Sequence, residues 1–302
     1  MNYESVKYPP AYYRFRARRA LKGHWLTALQ IALIVSLGPW LIRGIFSYTS
    51  RDMTTQLATL QAAMLEGTFT RELALPFMQE YGSRIYLFLG LEAAAYLIIP
   101  FLTLGMIKWM TDRIRGLESP VSTVFSRAGL FFKACGLQLL VILKLWLWML
   151  PGMVLTVLVT VAFSLMGSTS SPVLEMLKLY LISGLPFSMI VPAFFAYLRY
   201  ALAEYVLADR PETKIRECIS RSKAMMKHNR RIVVLNLLMF FLMLFASTLL
   251  GGLPDILYYV LTLLFSLVIT VYWTGTISAF YLDVEYGTIM ANEPKPEAEG
   301  LN

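Results

Sequence analysis

Residues 137–166 read LQLLVILKLWLWMLPGMVLTVLVTVAFSLM, thirty residues of which only Lys144 is charged. A helix rises 1.5 Å per residue, so about 20 such residues cross the roughly 30 Å of a bilayer's hydrocarbon. A soluble core has no use for an apolar run of this length, and the stretch reads as a membrane span. Working outward, comparable runs lie at Trp25 to Tyr48, Ile85 to Met110, Leu177 to Ala208, Ile232 to Leu250 and Ile256 to Leu282. Six spans make the expected fold an all-α, polytopic membrane helix bundle, because the backbone of an open chain in lipid can satisfy itself only as helix. Composition agrees: 57% of the 302 residues are hydrophobic and 15% charged, against about 25% charged in soluble domains. A secreted, nuclear or disordered protein is excluded.

Orientation follows from the cations. Cytoplasmic loops are enriched in Lys and Arg, and of 27 such residues six lie before the first span, five between Lys108 and Lys133 and eight between Arg210 and Arg231. The loops on the other side hold only Arg51, Arg71 and Arg84. Both termini are therefore expected to be cytoplasmic. The domain plan is a basic N-terminal arm over 1–24, a six-span domain over 25–282 and an acidic disordered tail over 283–302. The first apolar run exceeds a signal peptide's core and lacks a small-residue cleavage site, so it should stay attached. Pro151, Pro186 and Pro192 are the expected kink points of the long third and fourth spans.

Two segments between spans have an apolar stripe. Within 49–83, Met53, Leu57, Leu60 and Met64 recur at helical spacing and Gly67 follows, which predicts a helix lying on the outer surface. Over 211–231, Ile215, Cys218, Ile219, Met225 and Met226 underlie a face bearing Lys214, Arg216, Arg221, Lys223 and Lys227. These five cations are the candidate contacts to anionic lipid, each contributing about 1 kcal/mol near a negative leaflet. Nucleic acid is not the expected partner, because the helix is tethered between two spans against that leaflet.

Ionisable residues inside spans each need a partner, a wet cavity or a route to the interface. Rise arithmetic places Glu92, Lys144 and Arg199 near one depth, which allows a polar cluster in which Lys144 ranks first and Arg199 second as partner of Glu92. Arg43, near the outer end of the first span, reads as a snorkelling anchor. His24 and His228 have no carboxylate or cysteine at ligand spacing, and Cys135 and Cys218 sit on the reduced side, so neither a metal site nor a disulfide is expected. No cofactor is expected. Nucleophile-elbow, zinc-peptidase, phosphate-loop and dinucleotide signatures are all missing, and the expectation is a protein that is not an enzyme.

Three places carry a family likeness. Arg16 to Trp25 reads as a basic arm ending in Ala-Leu-Lys-Gly, a variable residue and Trp; the second runs from Pro192 through Tyr200, Tyr205, Leu207, Ala208, Asp209 and Pro211 to Ile219, Ser222, Met226, Lys227 and Asn229; the third is Phe280-Tyr281. Together these resemble a bacterial six-span integral membrane family known as domain of unknown function 975. Ala193, His228 and Val271 depart from its usual Gly, Gly and Pro, and the segments Thr49 to Ser83 and Gly152 to Leu185 follow it less closely. The resemblance implies a fold and a location in the bacterial cytoplasmic membrane, and it brings no site residues. The expected function is that of a non-enzymatic scaffold, accessory or lipid-interacting subunit. A transporter or permease component using the Glu92, Lys144 and Arg199 cluster is the alternative.

Overall fold

The computed structural model describes residues 3, 8–65, 68, 70–166, 172–248 and 255–287. Among these residues the chain is helical with no strand, in the order α1 (Pro10–Leu21), α2 (Trp25–Thr49), α3 (Arg51–Leu65), α4 (Arg71–Ile114), a 3-10 helix (Val121–Leu130), α5 (Phe131–Met166), α6 (Pro172–Tyr200), α7 (Ala203–Asp209), α8 (Ile215–Thr248) and α9 (Asp255–Tyr286). Five segments are long and apolar enough to cross a membrane: Trp25–Phe46, Arg71–Ile114, Val121–Phe163, Phe187–Asp209 and Leu257–Tyr286. This is the pattern of a multi-pass membrane protein. The run expected at Ile232 to Leu250 lies on α8 and reaches beyond the described residues. The acidic tail from residue 288 and Gly67 lie outside them too.

Several boundaries differ from the sequence reading. The N-terminal arm contains a helix: Tyr13, Ala17 and Leu21 of α1 are fully buried, and Gly23 turns the chain into α2 with φ +80°, a left-handed conformation that a side chain resists. The second apolar run, expected to begin at Ile85, is part of a longer helix that starts within the 49–83 segment. α4 runs for 44 residues from Arg71, about 66 Å of helix or roughly twice a bilayer's hydrocarbon. The Thr70 hydroxyl caps it by accepting the Leu73 N–H at 3.3 Å. At the far end Gly116, φ +78°, lets the Leu117 N–H reach the Asp112 carbonyl at 2.9 Å and close the last turn. α3 is helical over the apolar stripe and folds back on α4, with the Gln56 amide donating to Glu80 at 3.4 Å and the Arg84 guanidinium donating to the Thr49 carbonyl at 3.0 Å.

Two compact units can be distinguished, one of Met1–Ala17, Phe132–Met239 and Gly275–Asn302, the other of Arg18–Phe131 and Phe240–Thr274. In the second unit the C-terminal half of α4 and the 3-10 helix form the core around Leu104, Met106, Ile107, Trp109, Met110 and Val124. They meet at Gly105, where an added Cβ would stand 1.8 Å from the Val124 carbonyl oxygen. Only glycine allows that approach. The Trp109 indole N–H donates to the Ser119 carbonyl at 2.9 Å, and the Ser119 hydroxyl donates to Asp112 at 3.3 Å, so the polar atoms of the turn are satisfied inside the core. α2 joins α4 through stacked Phe46 and Phe88 rings, centroids 4.1 Å apart.

In the first unit the fourth apolar run is interrupted, and not at its prolines. α6 continues through Pro186 and Pro192 and breaks at Ala201-Leu202, before α7 resumes. α8 bridges the gap: the Ser222 hydroxyl accepts the Leu202 N–H at 3.2 Å and donates to the Arg199 carbonyl at 2.9 Å. One fully buried serine thus replaces hydrogen bonds that the interrupted helix cannot make for itself. α5 and α6 approach at Gly152, where a Cβ would lie 2.4 Å from the Ser188 carbonyl oxygen, and the Ser188 hydroxyl donates to the Gly152 carbonyl at 3.3 Å.

Candidate functional site

The chemistry-bearing side chains of the first unit gather where α7, the start of α8 and the end of α9 meet. α9 does not stop at Leu282 as expected. It runs to Tyr286, which takes Asp283 and Glu285 out of the tail and into helix, Asp283 among the buried residues. Asp209, at the end of α7, accepts from the hydroxyls of Tyr281, at 3.1 Å, and Tyr286. Glu285 is paired with Arg210 at 2.6 Å and with Arg221 at 3.5 Å, and it accepts the Tyr3 hydroxyl at 2.8 Å. Asp283 accepts the Tyr13 hydroxyl at 2.7 Å, and the Tyr13 ring meets Phe280 edge-on. The Arg14 guanidinium donates to the Asn236 side chain at 2.9 Å, which ties α1 to α8 as well.

Burial, the hydrogen bond to Glu285 and that carboxylate's charge push the Tyr3 phenol up to about 12, and the same causes acting through Asp283 raise Tyr13. Both stay protonated donors at neutral pH. Each of these carboxylates is held by tyrosine hydroxyls or guanidinium groups, an arrangement that fastens helix ends together. Among the described residues no three His, Cys, Asp or Glu side chains gather as a metal site would require.

The basic helix over 211–231 is the N-terminal part of α8, continuous with the apolar part that follows. Its apolar stripe does not reach lipid: Cys218, Ile219, Met225 and Met226 are buried inside the protein, and a Cβ on Gly136 of α5 would touch the Ile215 side chain at 3.0 Å. Lys214, Arg216, Lys223 and Lys227 remain exposed on the opposite face. Arg221 is different. It turns inward and is held by Glu217 at 2.7 Å and by Glu285, so it is not among the cations offered to a surface.

The cluster expected around Glu92 is also drawn differently. Glu92 is paired with Arg43 of α2, Nε to Oε1 2.9 Å and Nη2 to Oε2 3.4 Å. The residue set aside as a snorkelling anchor is its partner, in place of Lys144 or Arg199. Those two cations belong to the other unit, where the Arg199 guanidinium lies over the Trp148 ring, 4.7 Å from its centroid.

The model of a family described as "Protein of unknown function (DUF975)" matches residues 12–288. The chain belongs to this family. The match takes in the two segments where the likeness is least legible by eye, Thr49 to Ser83 and Gly152 to Leu185. No curated protein and no solved structure matches the sequence. Two of the family-like stretches prove to be one place: Asp209, from the exit of the fourth apolar run, is hydrogen-bonded to Tyr281, from the end of the last. Sequence reading named Asp209 only as part of the family likeness, with no role at a site, and did not single out Arg210, Asp283, Glu285 or Tyr286. The available signal was the pairing of a polar helix end, Asp209-Arg210, with an acidic and aromatic one, Asp283 to Tyr286.

Proposed function

We propose that the protein is a non-enzymatic, six-span scaffold or accessory subunit of the bacterial cytoplasmic membrane, with both termini cytoplasmic, and that it contacts anionic lipid through α8. The observation that carries this reading is the sorting of charge on that helix. Arg221, on the inner side, is neutralised by Glu217 and Glu285, while Lys214, Arg216, Lys223 and Lys227 are left facing outward. Exposed cations beside an anionic leaflet add attraction that fades beyond a Debye length. A binding role is also what the carboxylate and tyrosine fastenings support, since they hold the ends of α1, α7, α8 and α9 as one surface.

The test is reconstitution into bilayers of phosphatidylglycerol and phosphatidylcholine with a spin-labelled trace of either. The wild type should immobilise more phosphatidylglycerol, and the preference should shrink in high salt and in the triple variant Lys214→Gln, Arg216→Gln, Lys227→Gln. Equal immobilisation of the two lipids by the wild type would overturn the reading. A permease component is the second reading, favoured by the charged pair Arg43 and Glu92 between two apolar helices. Ion or proton flux into reconstituted vesicles that Glu92→Gln abolishes would support it over the first.

A further inference from the structure

Unlike Arg210 and Arg221, the cations Arg199, Lys144 and Lys223 of the first unit form no ion pair among the described residues. Arg199 stands in the last turn of α6 with its guanidinium over Trp148. A guanidinium stacked on an indole is held by the ring face and keeps its N–H edge for a ligand in its own plane. The Arg199 Nε is buried and has no hydrogen-bond partner. Lys144 lies one turn before Trp148 on the same face of α5. Lys223 follows Ser222, whose hydroxyl holds the Arg199 carbonyl, so α8 brings this third cation to the level of Arg199; its ammonium lies 5.6 Å from the Tyr200 ring centroid.

An apolar track leads away from these charges. Phe195 and Val191 are one and two turns before Arg199 on the same face of α6, and Leu155 continues the Lys144 and Trp148 face of α5; all three are exposed. Cations at one end of exposed apolar stripes fit an amphiphile better than a free anion, and a tryptophan beside them suits headgroup depth.

We propose that Arg199, Lys144 and Lys223 form a site for the phosphate of an anionic phospholipid, whose acyl chains lie along Val191, Phe195 and Leu155. Arg199 donates in its plane to two phosphate oxygens, and the lysines neutralise the remaining charge. The site rests on the reading of the protein as membrane-embedded and lipid-contacting, and it narrows that reading from a charged surface to one bound molecule.

The experiment uses the full chain in detergent, stripped of lipid and offered equal phosphatidylglycerol and phosphatidylcholine, with retained lipid counted by native mass spectrometry. The wild type should retain phosphatidylglycerol. Arg199→Gln and Lys144→Met should each lower its retention about tenfold, the factor equivalent to about 1.4 kcal/mol, and Arg71→Gln, at an exposed cation of the other unit, should leave it unchanged. Lys223→Gln, at an exposed position where folding is not at stake, should lower it too, and Arg199→Lys should restore part of it. Equal retention of both lipids by the wild type, or unchanged retention in Lys223→Gln and in a folded Arg199→Gln, would overturn the proposal. So would displacement of the lipid by millimolar inorganic phosphate, which would mark a free-phosphate site. The spin-label preference of the α8 surface is read separately. Its loss with Arg199-dependent retention intact sinks the surface reading alone, and the reverse result sinks the site alone.

Discussion

Arg43 and Glu92 meet through two nitrogen and oxygen contacts, 2.9 and 3.4 Å, that join α2 to α4 inside apolar helices. The Arg43 side chain is 62% exposed and that of Glu92 12%, so the carboxylate is the enclosed partner and the guanidinium closes over it. Removing the cation should therefore hurt more than neutralising the acid. Arg43→Met is expected to lower stability in detergent by about 1–3 kcal/mol, because it strands a charge where solvation is poor. Glu92→Gln should cost less, and the double variant should recover part of the Arg43→Met loss. A thermal-unfolding cycle in which the two effects simply add would show that the pair contributes nothing.

Glycine substitutions should separate by what a Cβ would meet. Gly105→Ala and Gly152→Ala push a methyl to 1.8 and 2.4 Å from backbone oxygens that cannot move without moving a helix, and each should cost about 1–3 kcal/mol or more. Gly38 and Gly90 have nothing within 4 Å of the added atom, and Ala there should be neutral or stabilising by up to about 1 kcal/mol through helix propensity. Melting temperatures of the four variants decide it. Similar losses for all four would mean that the close approaches are not real.

Ser222→Ala removes the acceptor of the Leu202 N–H and the donor to the Arg199 carbonyl at once. Leaving buried backbone groups unsatisfied costs about 1–3 kcal/mol, and faster amide exchange at Leu202 should accompany the loss. Unchanged exchange at that amide would show that the break in the helix does not depend on the serine.

The two cysteines should differ in reactivity. Cys218 is fully buried and its thiol is pushed up to about 11, by burial first and then by the Glu217 charge; Cys135 is partly exposed. A raised value favours the protonated thiol in the fold, so its contribution to stability is complete below the unfolded thiol's range and is lost as pH rises through about 11. Between about pH 7 and 9, maleimide should label Cys135 in the native protein and Cys218 only after denaturation. Native labelling of Cys218 at the rate of Cys135 would contradict the burial.

Six spans with both termini cytoplasmic predict that reporter fusions after Glu66 and after Asp283 lie on opposite sides of the membrane. The same side for both would require a different number of crossings. The outer extension of α4 adds a finer expectation: cysteines placed at Glu72 and Met78, both exposed, should be labelled by membrane-impermeant reagents from the side that the Glu66 fusion reports.

Much of the architecture is written locally along the chain. An apolar run of 20 or more residues must be helix and must avoid water whatever surrounds it, so five of the runs could be recognised from hydropathy alone, as could the alternation of their cations. The family likeness was equally local, resting on contiguous residues around Trp25, Asp209 and Tyr281. What the sequence left open was which helices are neighbours and how each is rotated about its axis. Rise per residue estimates how far along a helix Glu92 lies, which is why Lys144 and Arg199 looked suitable; whether a cation faces it depends on the helix beside it, and α2 supplies Arg43. The stripe on α8 had the right periodicity for a membrane surface, yet a helix face that is apolar serves a protein interior as well as a lipid one. Tertiary packing chose the interior for Ile219 and Met226, drew Arg221 in toward Glu285 and left the lysines outside. It also placed the helix break at Leu202, where Ser222 of α8 meets the freed backbone groups, since a hydrogen-bond partner twenty residues away exists only once the chain has folded.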